Sequence, residues 1–400
     1  MKRVLICTNH FYPETFRCND VAFELVRRGY DVTVLTAIPD YPGGKFFEGY
    51  GFFRKRKETV NGVKVIRAFI IPRGNGGVVR LFLNYLSYFI SSLLVSLRLG
   101  LFGKFDRVII HETSPVMIGV PAVVVKKLQK APLYFWVLDL WPESLQAAGG
   151  VNNPWVLGFF RRMTTWIYRH SDKILMSSKG FESSILEKGD YADKLIYFPN
   201  WADKALDGHS NFILPSLPDG FIAMFAGNMG EAQDFDHIMS AALMLKDNHH
   251  IHFVFVGDGR KRVWVESFCE EHGLKATVHW VGRHPVETMP SFFEKADVML
   301  MTLKDVNIFN LTAPAKLQAY MSASKPILAM MNGEGPRIVA EAQCGRCVPA
   351  ADAEGLAKAL LEMAQMDKSE LIEMGRRGKV YQQTHFDLDQ SINHLIDIIA

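Results

Sequence analysis

The sequence predicts a two-domain α/β protein, each domain built on a parallel sheet with helical crossovers. Three observations predict it. Short apolar runs alternate with helix-length amphipathic stretches along most of the chain. A stretch rich in Asp, Gly, Ser and Pro, residues 201–220, separates two such series and reads as a linker. The length of 400 residues, 48% hydrophobic and 22% charged, supplies two cores and excludes a disordered chain.

The elements follow in order. Residues 4–7 form a short apolar run suited to a buried parallel strand, and a Pro-containing loop follows. Val21, Phe23, Leu25 and Val26 mark a helix that stops at Gly29. The next strand is 31–36. The pattern resumes with strands at 107–110, 133–137, 173–177 and 195–198 and with helices between them. The second series has strands at 221–226, 252–256, 277–280, 298–302 and 325–330. From Asp352 onward the pattern is of consecutive helices.

Parallel sheets bind ligands at the C-terminal ends of their strands, so the residues just after each strand carry the information. In the second half these are Gly227, Asn228 and Gly230, then Gly257, Asp258, Gly259, Arg260 and Lys261, then Arg283. Pro314 and Lys316 open one helix, and Glu334 and Gly335 open another. Glycines bring backbone N–H groups close to a phosphate, helix N-termini favour negative charge, and the cations add full charges. The glycine spacing matches neither the dinucleotide fingerprint nor a Walker lysine loop. In the first half Asp139 and Glu143 follow a strongly apolar strand. A carboxylate there orients hydroxyls or accepts a proton, although Glu143 equally suits the first turn of a helix behind Pro142. His111 ends the preceding strand as either a core histidine or a substrate contact.

Together these landmarks resemble the family 4 retaining glycosyltransferases of the GT-B fold. They are Phe11-Tyr12-Pro13-Glu14, Asp139-Leu140-Trp141-Pro142-Glu143, Phe198-Pro199-Asn200, Gly227 through Gln233, Val256 through Gly259, Ala296-Asp297-Val298, and Pro314-Ala315-Lys316 with Lys325-Pro326. The branch most resembled is the WbuB-like one of L-fucosamine transferases. The resemblance implies two facing Rossmann-like domains with a cleft between them. The acceptor domain would be 1–200, with a C-terminal helix of about 383–400 packing back on it, and the donor domain 201–382. It implies a UDP-sugar held at Gly227, Asn228, Gly230, Gln233, Gly257, Asp258, Arg260, Arg283, Pro314, Lys316, Glu334 and Gly335. The acceptor would lie near Phe11, Tyr12, Pro13 and His111, with Asp139, Lys316 and Glu143 as catalytic residues and no metal or other cofactor. Many relatives carry a pair of glutamates where this chain has Thr312 and Ala319, leaving Glu334 and Glu341 as the nearest carboxylates for a ribose. A nucleotide-sugar epimerase and a catalytically inactive nucleotide-sugar or glycan-binding protein are the alternative readings.

Charge and cysteine content bound the partners. A net charge of +3 argues against a general nucleic-acid binder, and five cysteines are no disulfide framework, so a reducing cytoplasm suits the chain. Cys344 and Cys347 read as ordinary thiols, and the His249, His250 and His252 cluster as a solvated loop rather than a metal site. Residues 59–105 contain no Asp or Glu, and 81–102 are strongly apolar. That segment reads as a core helix, as a membrane-surface helix or, against the grain of a Rossmann-like domain, as a span. The surface reading makes the protein peripheral at the inner face of the plasma membrane through about 73–105 and admits a polyprenyl-diphosphate-linked acceptor.

Overall fold

The computed structural model describes residues 1–206, 208 and 212–400; positions 207 and 209–211 of the expected linker lie outside the described residues. The chain divides into two compact units, Met1–Phe198 with Ile392–Ala400, and Pro199–Ser391.

The first unit runs β1 (Arg3–Cys7), α1 (Arg17–Arg27), β2 (Asp31–Ala37), β3 (Lys57–Val60), β4 (Val63–Ala68), α2 (Val78–Phe102), β5 (Arg107–Glu112), α3 (Gly119–Gln129), β6 (Leu133–Val137), α4 (Glu143–Gly149), α5 (Pro154–His170), β7 (Lys173–Met176), α6 (Phe181–Leu186) and β8 (Leu195–Tyr197). Its sheet has the order β3-β4-β2-β1-β5-β6-β7-β8, parallel except for the β3–β4 hairpin. The central strands are apolar on both faces because helices cover both, so Val4, Leu5, Val108, Ile110 and Phe135 are wholly buried. α1 turns Cys18, Val21, Ala22 and Leu25 inward, the spacing of one helical face. The β3–β4 hairpin escaped the sequence reading. Its signal is the pair Asn61-Gly62, both at positive φ, which closes a two-residue turn between strands whose side chains alternate in exposure.

The second unit runs β9 (Phe221–Ala226), α7 (Phe235–Met244), β10 (Ile251–Val256), α8 (Arg262–His272), β11 (Val278–Gly282), α9 (Met289–Lys295), β12 (Val298–Thr302), α10 (Asn307–Leu311), α11 (Ala315–Ser322), β13 (Ile327–Met330), α12 (Glu334–Ala342), β14 (Gly345–Val348), α13 (Ala353–Ala364) and α14 (Lys368–His385). Its sheet, β11-β10-β9-β12-β13-β14, is parallel throughout. All its strand ends therefore lie at one edge, with β9 near the middle. β14 was not expected, because Gly345-Arg346-Cys347-Val348 is a half-exposed edge strand rather than an apolar run. Asp352 caps α13 by accepting the Gly355 N–H at 2.8 Å.

The last helix, α15 (Leu388–Ile399), straddles the unit boundary, which falls at Ile392 rather than near 383. Ile392, Leu395 and Ile399 are buried. Lys2 Nζ donates to the Ala400 carbonyl and Arg107 Nε to that of Ile399, each at 2.7 Å.

Candidate active site

In the second unit, the loops after β9 and β10 meet backbone to backbone. Gly257 sits at φ +152°, and a Cβ there would lie 1.9 Å from the Gly227 carbonyl oxygen. Gly227, at φ +134°, leaves room for the Lys316 side chain, whose Cε would be 2.9 Å from a Cβ at that position. Met229 N donates to the Asp258 carbonyl at 2.8 Å, and Gly257 N to that of Gly282, also at 2.8 Å. Tyr320, fully buried on α11, exchanges hydrogen bonds with the backbone N–H and C=O of Ala226 at 3.1 Å and fixes the end of β9.

Lys316 enters this enclosure from the first turn of α11. Its ammonium donates to Gln233 Oε1 and lies 4.5 Å above the Phe225 ring. The Gln233 carbonyl is itself held by Thr302 Oγ1. Among the described residues no carboxylate pairs with Lys316. Burial strips water from the amine without supplying a countercharge, and its pKa falls from 10.5 to about 8. The result is a positive charge beside glycine backbone at a strand edge, a ready place for an anion.

The other donor-side residues divide. Gly227, Asn228, Gly230, Gln233, Gly257, Asp258 and Lys316 come together. Asp258 accepts the Gly259 N–H at 2.8 Å and holds its loop. Arg260 and Arg283 are exposed and make no ion pair among the described residues, so both remain available. Lys261 does not: Asp236 takes its ammonium at 2.9 Å. Pro314 is the residue before α11 and sets Lys316 in its first turn. Glu334 is held by Arg337 through two hydrogen bonds of 2.9 and 3.0 Å, and Glu341 binds the same guanidinium. Both carboxylates expected near a ribose are thus tied to one arginine. Gly335 lets α12 approach Met331 and Met301.

In the first unit the ends of β5 and β6 carry a cluster of carboxyl groups. Asp139 is half-buried; it accepts from Ser144 Oγ, and its N–H donates to Glu112 Oε2 at 3.3 Å. Trp141 Nε1 donates to Ser114 Oγ at 2.9 Å. Burial raises the Asp139 pKa against the pull of Ser144 and Ser114. Glu112 is wholly buried, and burial followed by the neighbouring Asp139 holds its carboxyl well above the usual range. Its Oε1 has no partner among the described residues. Sequence reasoning missed Glu112, because a carboxylate at the last position of an apolar strand looks like the start of a loop.

Three first-unit assignments change. Phe11, expected at the acceptor edge, is 1% exposed and packs against Phe23, so it is core; Tyr12 and Pro13 beside it are accessible. His111 is buried against Trp136 and near Thr8 Oγ1 (3.2 Å), and desolvation lowers its pKa to about 3, which keeps it neutral. Glu143 accepts from Lys188, whose side chain is almost wholly buried, and from Ser184 Oγ at 2.8 Å. Its carboxylate neutralises that ammonium, a structural duty. Glu14 is also structural: it accepts the N–H groups of Asp40 (2.9 Å) and Tyr41 (2.7 Å) and binds His10 at 2.8 Å.

Two family models cover most of the chain. One, described as a glycosyl transferase 4-like domain, matches residues 15–201, and the other, glycosyl transferases group 1, matches 220–366. The chain is a glycosyltransferase, 4-like in its first half and group 1 in its second. A probable glycosyltransferase of Pseudomonas aeruginosa, WbjE, is 29% identical to this glycosyltransferase over 318 residues, covering 76% of this chain and 77% of its own. The putative colanic acid biosynthesis glycosyl transferase WcaI of Escherichia coli K12 is 24% identical over 321 residues, covering 76% and 77%. The structure of Anabaena HepE in complex with UDP superposes with a TM-score of 0.72 at 12% identity over 100% of this chain and 99% of that one, a likeness of fold. This glycosyltransferase therefore has the two Rossmann-like domains of the GT-B fold.

Proposed function

We propose that this glycosyltransferase moves a sugar from a UDP-sugar to a lipid-linked or oligosaccharide acceptor in cell-surface polysaccharide assembly, with retention of anomeric configuration. The observation that carries the donor side is Lys316: a desolvated ammonium with no carboxylate partner among the described residues, against glycine backbone, is a site for a diphosphate. Arg260 and Arg283 add charge from neighbouring loops. UDP follows from the sequence resemblance and is supported by HepE, a protein of the same fold solved with UDP. Polysaccharide assembly is supported by the name of WcaI. The O-antigen or capsule setting and an N-acetylated amino sugar of the L-fucosamine type rest on the sequence landmarks.

The mechanism we infer is front-face attack. Donors and cations fixed in advance stabilise charge as it develops on the departing diphosphate, and Lys316 is the group so placed. The protein's own cations supply that neutralisation, so the reading needs no metal. Asp139, held by Ser144 and by Glu112 through its backbone, is the acceptor-side carboxylate that orients or deprotonates a hydroxyl. The reaction is assigned to the cytoplasmic side of the membrane, in keeping with five free cysteines.

A thermal-shift series with UDP, GDP, dTDP and their sugars tests the donor assignment. A ligand that binds only the folded state raises the melting temperature. UDP and one UDP-sugar should do so. Equal indifference to all three nucleotides would remove the second unit's strand edge as a donor site.

A further inference from the structure

Helix α2 is built inside out. A helix laid on a sheet ordinarily turns its apolar stripe inward. Here the inward positions are Asn84, Tyr88, Ser92, Ser96 and Gly100, recurring at every fourth residue. Asn84 Nδ2 donates to Asp40 Oδ2 at 3.0 Å and to the Ile71 carbonyl at 2.7 Å, and Tyr88 Oη to the Thr8 carbonyl at 2.6 Å. Ser87 Oγ accepts the Ile71 N–H at 2.8 Å. Gly100 admits Leu128 of α3, whose Cδ1 would stand 2.4 Å from a Cβ. The outward positions are Phe82, Ile90, Leu94, Leu97 and Leu101, exposed by 60, 51, 63, 42 and 63%. An apolar face this continuous, on a helix of 25 residues, calls for a cover.

Charge says what the cover is. Arg80, Arg98 and Lys104 are exposed along and beyond α2, none pairs with a carboxylate among the described residues, and no acidic residue occurs from 59 to 105. Arg98 lies four residues from Leu94 and three from Leu101, on the flank of the apolar face. A second copy of this helix would set cation against cation with no acid to answer them. An anionic head-group layer over an acyl layer answers both features. Among the described residues α2 is the one helix long and apolar enough to cross a membrane. Its hydrogen bonds through Asn84, Ser87 and Tyr88 hold its other face to the first unit, so it lies along a bilayer rather than through one.

We propose that α2 docks the protein flat on an anionic bilayer, with Phe82, Ile90, Leu94, Leu97 and Leu101 in the acyl boundary and Arg80, Arg98 and Lys104 among the head groups. This deepens the lipid-linked acceptor reading and rests on it for its purpose, not for its geometry. The same helix ties, through Tyr88, to the loop after β1 that carries Tyr12 and Pro13 and, through Asn84, to Asp40 on the loop after β2. Docking therefore fixes the height of that strand edge above the membrane.

Flotation of the full chain with phosphatidylglycerol-containing vesicles, and with phosphatidylcholine-only vesicles, tests the proposal. The wild type should float with the first, less so as salt rises. Leu94→Glu with Leu101→Glu should lower vesicle affinity about tenfold or more, and Arg80→Gln with Arg98→Gln and Lys104→Gln should lower it chiefly for the anionic vesicles. UDP thermal shifts, recorded in parallel, should be unchanged in both variants, which also shows that they fold. Unaltered flotation of the glutamate variant overturns the proposal. So does a wild-type dimer that the glutamate variant splits, since a second copy is then the cover. A wild type that floats but binds no nucleotide instead refutes the donor reading and leaves the docking surface standing.

Discussion

At the scale of single residues, Lys316 carries a cost in the empty protein and a benefit in the complex. Lys316→Met should reduce transfer by on the order of 10²-fold or more, the usual loss for a pre-aimed electrostatic contact. The same variant should be more stable without ligand, by on the order of 1 kcal/mol after discounting for residual solvent, because a desolvated charge disappears. The sign with pH follows. Below about pH 8 the wild-type amine is charged in both folded and unfolded chains, so the variant's advantage is full; it fades as pH rises from about 8 towards 10.5. Denaturation of both proteins across that window measures it. In wild-type enzyme kcat/KM should fall above about pH 8 as free Lys316 loses its proton, and Lys316→Arg should move that limb out of range. Asp139→Asn should abolish transfer while UDP affinity, measured by calorimetry, stays at the wild-type value. Equal loss of UDP binding would take Asp139 off the acceptor side.

At the scale of elements, the loops after β9 and β10 work as one piece because the second tolerates no side chain where it meets the first: a Cβ at Gly257 would strike the Gly227 carbonyl and one at Gly259 the Met229 carbonyl. Gly257→Ala places a methyl group on the Gly227 carbonyl and forces an L-residue into the left-handed half of the map. It should cost on the order of 2–3 kcal/mol in denaturant unfolding and weaken UDP binding as Gly227 and Lys316 move. The parallel strands and the glycine loops were legible in the sequence because apolar runs and glycines after strands are local signals. The β3–β4 hairpin and β14 were not, since short half-exposed strands lack an apolar run. The site was legible in type but not in partnership. Sequence picked out Glu143, Glu334 and Lys261 as chemistry-bearing groups, yet each meets a counter-ion, Lys188, Arg337 or Asp236, contributed by another turn or another helix. Pairings of that kind are set by packing. Lys316 is informative for the opposite reason, having met no such partner among the described residues. The apolar content of α2 was equally plain, but which side faced inward was decided by Asn84, Tyr88 and Ser92 finding polar partners below.

At the scale of the whole molecule, the last residues of the chain finish the core of the first unit. Removing residues 392–400 takes away Ile392, Leu395 and Ile399 and the carbonyl partners of Lys2 and Arg107. The first unit should lose roughly 4–6 kcal/mol from the three apolar side chains alone. Hydrogen exchange should show its strands opening, while UDP still shifts the melting of the second unit. This closure by a distant segment also bears on synthesis. Domains ordinarily fold in the order in which they leave the ribosome. Here the amino-terminal half waits for residues almost 200 positions beyond its own last strand, β8 (Leu195–Tyr197). The second unit, complete at Ser391, has all its parts first. The half that begins the chain is thus the last to be completed, and α2, with its apolar face outward, is made long before the unit beneath it is closed.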